Sequence, residues 1–264
     1  MPPPGPSPKG TKATRRKTRR ASALPSPAEA QGFSRRLRAW FRRHARELPW
    51  RSTRDAYHIL VSELMLQQTQ VSRVLDFYPG FIDRFPDLET LAAARPAHVM
   101  DQWQGLGYYA RARNLHALAR RVVREGPRTT RGATLPAEPA ELRTLPGVGA
   151  YTAGAVASFA YEKRAALVDT NVARVLQRFF APRLLPSRAR DLTRLWAIAE
   201  AILPRTGKAV WTHNQALMEL GALVCTARVA HCDRCPVRTD CQSANRNSDS
   251  GIGIRMRKSK RKAG

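Results

Sequence analysis

Several features that define other protein classes are missing from this sequence. No apolar run approaches the ~20 residues that a membrane-spanning helix requires, so we expect no membrane association. No stretch alternates polar and apolar residues with a period of two, and no internal repeat occurs at a fixed spacing, which argues against β-sheets and solenoids. Nothing at the N-terminus resembles a secretory signal, so the expected location is cytoplasmic.

Acidic residues are also scarce. The chain has 20 Asp and Glu against 46 Lys and Arg, which gives a net charge of +26 on 264 residues. Residues 1–31 and 242–264 hold seven basic residues each and are low in sequence complexity, so both are predicted to be disordered tails. The part between them keeps 32 basic and 18 acidic residues. A basic body of this kind favours a nucleic acid as the partner.

The residues between the predicted tails carry the periodicity of helices. Apolar side chains recur at helical spacing around Phe33 and Leu37, and again around Leu192 and Leu195. Proline and glycine interrupt this pattern at intervals and mark the helix ends. The predicted fold class is therefore all-α, as one large domain or as two small ones that share a cleft.

All four cysteines lie near the end of the chain, as Cys225, Cys232, Cys235 and Cys241 in a C-x6-C-x2-C-x5-C run. Four thiolates in one short segment predict a metal or cluster site. Zinc ribbons usually pair two C-x2-C units, whereas only the middle pair has that spacing here. A [4Fe-4S] cluster is therefore favoured, with zinc as the alternative. Two disulfides are the remaining alternative, and the lack of a secretory signal argues against them.

A glycine-rich segment, Leu145-Pro146-Gly147-Val148-Gly149, separates two helical stretches. Glycines let backbone N–H groups approach an anion, and this loop leads into a helix N-terminus, whose partial positive charge favours phosphate. A helix-hairpin-helix element holds a DNA backbone in this way without reading its sequence. The alternative is a tight turn between two helices that binds no ligand.

Glu63 is the single acid in an otherwise almost wholly apolar helical stretch, residues 59–66. An unpaired carboxylate among apolar side chains is costly, so the pKa of Glu63 should be raised. The group should then keep its proton near neutral pH, as a general acid must. A buried glutamate that is satisfied by the backbone or by an arginine is the alternative.

Asp169 ends the apolar run of residues 165–168 and begins the helical stretch of residues 170–176. An aspartate in this place is usually an N-cap and nothing more. Capping also keeps the carboxylate ionised, because the free N–H groups of the helix stabilise its charge. One protonated and one ionised carboxyl group is the division of roles that cleavage of a glycosidic bond needs.

Five runs of residues together resemble the MutY-type adenine DNA glycosylases of the endonuclease III superfamily. The resemblance extends over roughly residues 33–241 and is carried by VSELMLQQTQV (61–71), GLGYYARARNLH (105–116), LPGVGAYTAGAV (145–156), VDTNVARVL (168–176) and NQALMELGALVCTAR (214–228). It implies a helix-hairpin-helix glycosylase fold with a six-helix module, residues 53–163. An iron-sulfur cluster module would be built from residues 32–52 plus 164–241.

The implied activity is removal of adenine that is mispaired with 8-oxoguanine or guanine. The partner would be double-stranded DNA, bound by a monomer across the cleft between the modules, with the adenine flipped out of the stack. By motif position, Glu63 would protonate adenine at N7. Asp169 would stabilise the oxocarbenium-like sugar or trap it covalently, and Asn171 would orient this carboxylate and the attacking water.

Tyr151 stands where endonuclease III has a lysine that forms a Schiff base with the sugar, so the resemblance implies a glycosylase without efficient lyase activity. Its hydroxyl would hydrogen-bond near the two acids, and simple packing is the alternative. Gln68 and Tyr108 would enter the duplex around the mispair, although Tyr108 could instead be a packed helix residue. The adenine pocket would be lined by Leu48, Trp50, Arg51 and Gln215.

The sequence departs from the family in two places. Only 23 residues follow Cys241, where many members have a further domain that helps to recognise 8-oxoguanine, so discrimination between 8-oxoguanine and guanine is in doubt. Thr170 stands where the aspartate motif of the family more usually has glycine. In this position the sequence resembles endonuclease III and the thymine-mismatch glycosylases, which are the alternative enzymes. A DNA-binding protein without catalysis is the alternative from another class, and the presence of both Glu63 and Asp169 argues against it.

Overall fold

The structure is a computed structural model that describes residues 24–248, with side chains as far as Asn245. This part of the chain forms twelve α-helices, which are α1 Pro27–His44, α2 Ala56–Leu66, α3 Val71–Arg84, α4 Leu88–Ala93, α5 Pro96–Trp103, α6 Ala110–Glu125, α7 Pro139–Leu142, α8 Ala150–Ala160, α9 Thr170–Phe180, α10 Ala189–Ala201, α11 Gly207–Leu223 and α12 Gln242–Ser248. The prediction of an all-α fold is confirmed. None of the helices within residues 24–248 is both long and apolar enough to cross a membrane.

The described part also contains a short β-hairpin. Strands β1 Arg128–Thr129 and β2 Gly132–Ala133 form an antiparallel hairpin between α6 and α7. The backbone N–H of Ala133 donates to Glu89 Oε1 over 2.6 Å and ties the hairpin to α4. Strands of two residues are too short to show an alternating pattern, which is why the sequence did not predict them.

The predicted boundaries of the two tails are wrong. Helix α1 already begins at Pro27, because Ser26 and Glu29 form a capping box in which each side chain accepts from the backbone N–H of the other. Helix α12 occupies residues that the sequence assigned to the C-terminal tail. The low sequence complexity around these segments concealed the two helices. The rest of both predicted tails, residues 1–23 and 249–264, lies outside the described residues.

Helices α2 and α8 are apolar on nearly all sides and pack against each other at the centre of the fold. Helix α2 also contacts α3 and α6, and α8 also contacts α7 and α11. Gly154 makes a close crossing possible, since a Cβ atom at this position would lie 2.1 Å from the carbonyl oxygen of Ala166. The buried segment of residues 165–168 therefore runs directly across α8 and delivers Asp169 to the first turn of α9.

The two ends of the described chain meet. Helix α1 packs along α11, and α9 packs against α10, α11 and α12. Gly221 on α11 lies so close to the start of α9 that an added Cβ would approach Asn171 Cβ to 2.8 Å and its carbonyl oxygen to 3.0 Å. The start of α9 is thus held between α8 and α11, and this position determines the geometry of the candidate site.

Candidate active site

Glu63 lies in the middle of α2, and only 4% of its surface is exposed. The phenol of Tyr151, in the first turn of α8, donates a hydrogen bond of 2.8 Å to Glu63 Oε2. Burial raises the pKa of Glu63, and the hydrogen bond from Tyr151 lowers it. The charge of Asp169 raises the pKa further, and the charge of Arg51 lowers it. The resulting pKa is about 7, so Glu63 can hold its proton near neutral pH.

Tyr151 remains a hydrogen-bond donor across the usual pH range. Burial raises its pKa well above the ordinary value, and the charges of Glu63 and Asp169 add to the effect. The hydroxyl oxygen also lies 3.2 Å from the sulfur of Met218 on α11. Tyr151 therefore makes a specific polar contact with Glu63, in addition to the packing that was the alternative interpretation.

Asp169 is the N-cap of α9, as the sequence predicted. Its Oδ1 accepts from the backbone N–H of Val172 over 2.6 Å, and its Oδ2 accepts from the side-chain amide of Asn171 over 3.0 Å. The carboxylate is near enough for its charge to raise the pKa of both Glu63 and Tyr151. The cap role and a role in chemistry are compatible, because the cap fixes the carboxylate beside the buried acid.

Arg174 supports this arrangement from one turn further along α9. Its Nη2 donates to Asn171 Oδ1 over 2.6 Å and to the carbonyl oxygen of Gly221 over 2.7 Å. Its Nε donates to the carbonyl oxygen of Cys225 over 2.8 Å. The amide of Asn171 is thereby oriented with its nitrogen toward Asp169. Sequence reasoning missed Arg174, because two of its partners lie about 50 residues away along the chain.

Arg51 and Gln215 meet, as predicted for neighbours in one pocket. Arg51 Nε donates to Gln215 Oε1 over 2.9 Å, and Arg51 Nη2 donates to Glu219 Oε2 over 2.9 Å. Leu48 and Trp50 precede Arg51 in the sequence and are buried, and the Trp50 ring packs edge-on against Tyr78. The roles of Leu48, Trp50, Arg51 and Gln215 toward a bound base remain predictions.

Glu219 is a buried acid that the sequence analysis missed. Its side chain is 0% exposed and is paired with Arg46 at 2.7 Å and Arg51 at 2.9 Å. Burial alone would raise the pKa of Glu219, but hydrogen bonds from Arg46 and Arg51 outweigh that effect and lower the pKa to about 2. The signal was present, since Glu219 is also a lone acid in an apolar stretch. Glu219 is thus a buried glutamate satisfied by arginines, which was the alternative interpretation for Glu63.

Gln68 and Tyr108 share an uncommon backbone conformation. Gln68 has φ of 56° and Tyr108 has φ of 48°, in the left-handed region that side chains other than glycine rarely adopt. Both residues are exposed, and Tyr108 exposes 59% of its surface. Tyr108 is therefore not the packed helix residue of the alternative interpretation, and α6 begins only at Ala110.

The predicted hairpin lies between α7 and α8. Leu145 and Val148 are buried, so this loop offers its backbone and not its apolar side chains to a partner. Gly147 has φ of 77° and lies against Asn114, where an added Cβ would come within 2.7 Å of the Asn114 Cβ. Gly149 is the N-cap of α8 and has open space around its Cα. The N–H groups at the start of α8 are accordingly open to an anion.

The four cysteines line a single cavity together with Arg178 and Arg238. Nη1 of Arg178 lies 3.3 Å from the sulfur of Cys225. Among the described residues, no three His, Cys, Asp or Glu side chains are close enough together to hold one metal ion. Cysteine thiolates are ligands of both zinc and iron-sulfur clusters, so the four side chains that line this cavity are a donor set for either group.

Comparison with known proteins places these features in a family context. The family model for HhH-GPD superfamily base excision DNA repair proteins matches residues 61–198. The human adenine DNA glycosylase is 41% identical over 228 residues, which are 83% of this chain and 40% of that protein. The adenine DNA glycosylase of Mycolicibacterium smegmatis is 44% identical over 203 residues, which are 76% of this chain and 66% of that protein. The chain thus spans about two fifths of the length of the mammalian relatives.

Solved structures show the same fold. A thermostable thymine-DNA glycosylase superposes with a TM-score of 0.73 at 29% identity, over 82% of this chain and 97% of that chain. Endonuclease III in a non-covalent complex with DNA superposes with a TM-score of 0.68 at 21% identity, over 86% of this chain and 100% of that chain. At this lower identity the likeness concerns the fold alone.

Proposed function

Because this chain belongs to the HhH-GPD superfamily of base excision DNA repair proteins, we propose that it is an adenine DNA glycosylase. It would hydrolyse the N-glycosidic bond of adenine mispaired with 8-oxoguanine or guanine in double-stranded DNA. The observation that carries the proposal is the hydrogen bond between Tyr151 and the buried acid Glu63, with the charge of Asp169 close by. Relatives named adenine DNA glycosylase at 40–44% identity support the choice of base.

Glu63 supplies the proton. With a pKa of about 7 it is partly protonated at neutral pH, and it can pass that proton to N7 of the flipped adenine. Protonation makes the base a better leaving group, because the electrons of the breaking C–N bond then neutralise a positive charge on the ring. Tyr151 holds the carboxyl group in position through its hydrogen bond to Oε2.

Asp169 acts on the sugar. As the base leaves, positive charge develops on the sugar, and an ionised carboxylate stabilises it or traps it covalently before water attacks. Hydrogen bonds from Val172 N and Asn171 Nδ2 fix the direction of the Asp169 carboxylate. Asn171 is in turn fixed by Arg174, which acts as a positioning residue.

The product is an abasic site, and the DNA strand is left intact. The lysine that forms an imine with the opened sugar in endonuclease III is replaced by Tyr151, and a phenol cannot form this bond. The proposed enzyme is therefore monofunctional. We expect it to act as a monomer, with the N-terminus of α8 and the loop of residues 145–149 on the DNA backbone.

For the cysteine cavity we propose a [4Fe-4S] cluster held by Cys225, Cys232, Cys235 and Cys241. When bound, the cluster supplies structural support, since hydrolysis of a glycosidic bond involves no redox step. The support reaches the site because Arg174 joins the Cys225 carbonyl to Asn171. Zinc remains the alternative metal, and metal analysis of the purified protein decides between iron and zinc.

The second candidate is a thymine-mismatch glycosylase, which Thr170 and the superposition on a thymine-DNA glycosylase favour. Base release from duplexes with A:8-oxoguanine, A:G and T:G mispairs separates the candidates. Release of adenine alone supports the proposal, and release of thymine alone supports the second candidate. Binding of all three duplexes without release of any base would leave only the non-catalytic DNA-binding protein.

A further inference from the structure

Arg111 joins two loops that are distant in sequence. Its guanidinium group donates to the carbonyl oxygens of Leu64 (2.8 Å), Met65 (2.7 Å) and Gln67 (2.6 Å), at the C-terminal end of α2. The same group donates to the carbonyl oxygens of Leu106 (3.2 Å) and Gly107 (3.0 Å), directly before Tyr108. One side chain therefore supplies hydrogen bonds to both segments.

The location of Arg111 is unfavourable for the helix that carries it. It occupies the second position of α6, where the positive end of the helix dipole repels a cation. It is only 7% exposed, its polar contacts are with backbone carbonyls, and among the described residues it forms no ion pair with a carboxylate. Its charge is compensated by the C-terminal carbonyls of α2, which form the negative end of that helix dipole.

The two loops that Arg111 joins are the ones that expose Gln68 and Tyr108. Each of these residues has a positive φ, a strained conformation that persists only where surrounding contacts impose it. Trp103 supplies further support, because its Nε1 donates to the Gly107 carbonyl over 3.3 Å and its ring lies 5.5 Å from the Arg111 guanidinium. The ring of Tyr108 lies 5.5 Å from the same guanidinium.

We propose that Arg111 is a positioning residue that holds the Gln68 and Tyr108 loops as one preformed wedge for opening the DNA duplex. It does not contact DNA in this scheme and acts only through the two side chains. The free energy for ordering both loops is then supplied during folding and does not oppose base flipping. The inference rests on the proposed function in requiring a DNA duplex as the ligand.

The test uses a catalytically silent background, Glu63→Gln, and a duplex with 2-aminopurine beside the target adenine. The fluorescence of 2-aminopurine increases when its stacking is lost, so it reports duplex opening without base release. Arg111→Lys keeps the charge but cannot donate to carbonyls of both loops at once. We expect the rate of the fluorescence increase to fall by about 10- to 100-fold, because small displacements of positioning groups have effects of this size.

Two further measurements identify the route of the effect. Arg111→Lys should reduce the rate of duplex opening much less in a Tyr108→Ala protein than in the otherwise unchanged protein, because the effects of coupled residues are not additive. In the active background, the pH midpoint of base release should stay unchanged, since Glu63 and Tyr151 are intact. The matched control is Arg120→Lys, an exposed arginine on the same helix, which should leave duplex opening unaltered.

Hydrogen exchange completes the test. The proposal expects Arg111→Lys to lose protection at residues 64–69 and 105–109 and to keep it in the core of α8. Uniform loss of protection, including failure to fold, would overturn the proposal, since Arg111 would then be a general stability residue. Unchanged duplex opening would overturn it as well. If the wild-type protein released no adenine, the proposed function would fail, while the fluorescence measurement would still test Arg111.

Discussion

The phenol of Tyr151 donates to Oε2 of Glu63 over 2.8 Å, from the first turn of α8 to the middle of α2. This bond joins the first turn of α8, directly after the loop proposed to hold the DNA backbone, to the proposed general acid. Because a hydrogen bond to the ionised carboxylate stabilises the charge, it keeps the pKa of Glu63 lower than burial alone would make it. The pKa of the acid thus depends on the position of the first turn of α8, which follows the loop proposed to bind DNA.

Glu63→Gln should abolish most base release. The amide cannot donate an acidic proton, and loss of a general acid costs roughly 10²- to 10⁴-fold in rate. Single-turnover release of adenine from an A:8-oxoguanine duplex measures the effect, and DNA affinity should change little. Glu200→Gln is the control, because Glu200 is an exposed acid paired with Arg164. A Glu63→Gln protein with full activity would remove Glu63 from the mechanism.

The rate of base release should decrease as pH rises through about 7. Glu63 must be protonated to act as an acid, and its pKa is about 7, so the active fraction falls tenfold per pH unit well above that value. Single-turnover rates between pH 5 and 9 give the midpoint. A rate that increases with pH across this range would contradict the assignment of Glu63 as the acid.

Tyr151→Phe should move that midpoint to higher pH. The hydrogen bond from Tyr151 lowers the pKa of Glu63, so its removal raises the pKa and keeps the proton on the carboxyl group in more alkaline solution. The maximal rate should also fall, because the carboxyl group is less well oriented. Tyr161→Phe, at a tyrosine that hydrogen-bonds to the Leu135 carbonyl instead, is the matched control. An unshifted midpoint would mean that the hydrogen bond does not tune Glu63.

Arg174→Lys should reduce base release by about tenfold or more without weakening DNA binding to the same extent. Lysine cannot contact the Asn171 amide and the carbonyls of Gly221 and Cys225 together, so Asn171 loses its fixed orientation toward Asp169. Single-turnover rates and binding by fluorescence anisotropy provide the comparison. Arg190→Lys, at an exposed residue of α10, should behave as the wild type does. An equal loss of base release in Arg174→Lys and Arg190→Lys would argue against a role for Arg174.

Cys235→Ser should reduce the bound metal. If the four cysteines hold a [4Fe-4S] cluster, the wild-type protein is brown, contains about four irons per chain, and loses iron and colour in the variant. Metal analysis by mass spectrometry, together with the visible spectrum, measures this. A colourless wild-type protein with one zinc per chain would replace the cluster with the alternative.

Much of the candidate site could be predicted because its signals are local in the sequence. Asp169 was expected to cap α9 because an aspartate directly before a helix is usually its N-cap, and the structure confirms the cap. The loop of residues 145–149 was expected from its glycines and lies between two helices as predicted. The predicted boundaries of the tails were wrong, because a capping box and a short helix are weak signals within segments of low sequence complexity.

Glu63 and Glu219 mark the limit of this approach. Both are lone acids in apolar helical stretches, yet the pKa of Glu63 is raised to about 7 and that of Glu219 is lowered to about 2. The difference arises from partners that come from other parts of the chain, which are a tyrosine hydroxyl for Glu63 and two arginines for Glu219. No pattern around either residue contains that information.

The sequence by itself determined most of the helices, the burial of Glu63, the cap on Asp169 and the grouping of the four cysteines, because periodicity, polarity and spacing act over a few residues. The tertiary structure alone decided which buried acid keeps its proton and which is ionised. It also decided that Arg111 and Arg174 each join segments that are distant in the sequence. Those outcomes depend on distances between atoms of different helices, and these distances are fixed only when the helices pack.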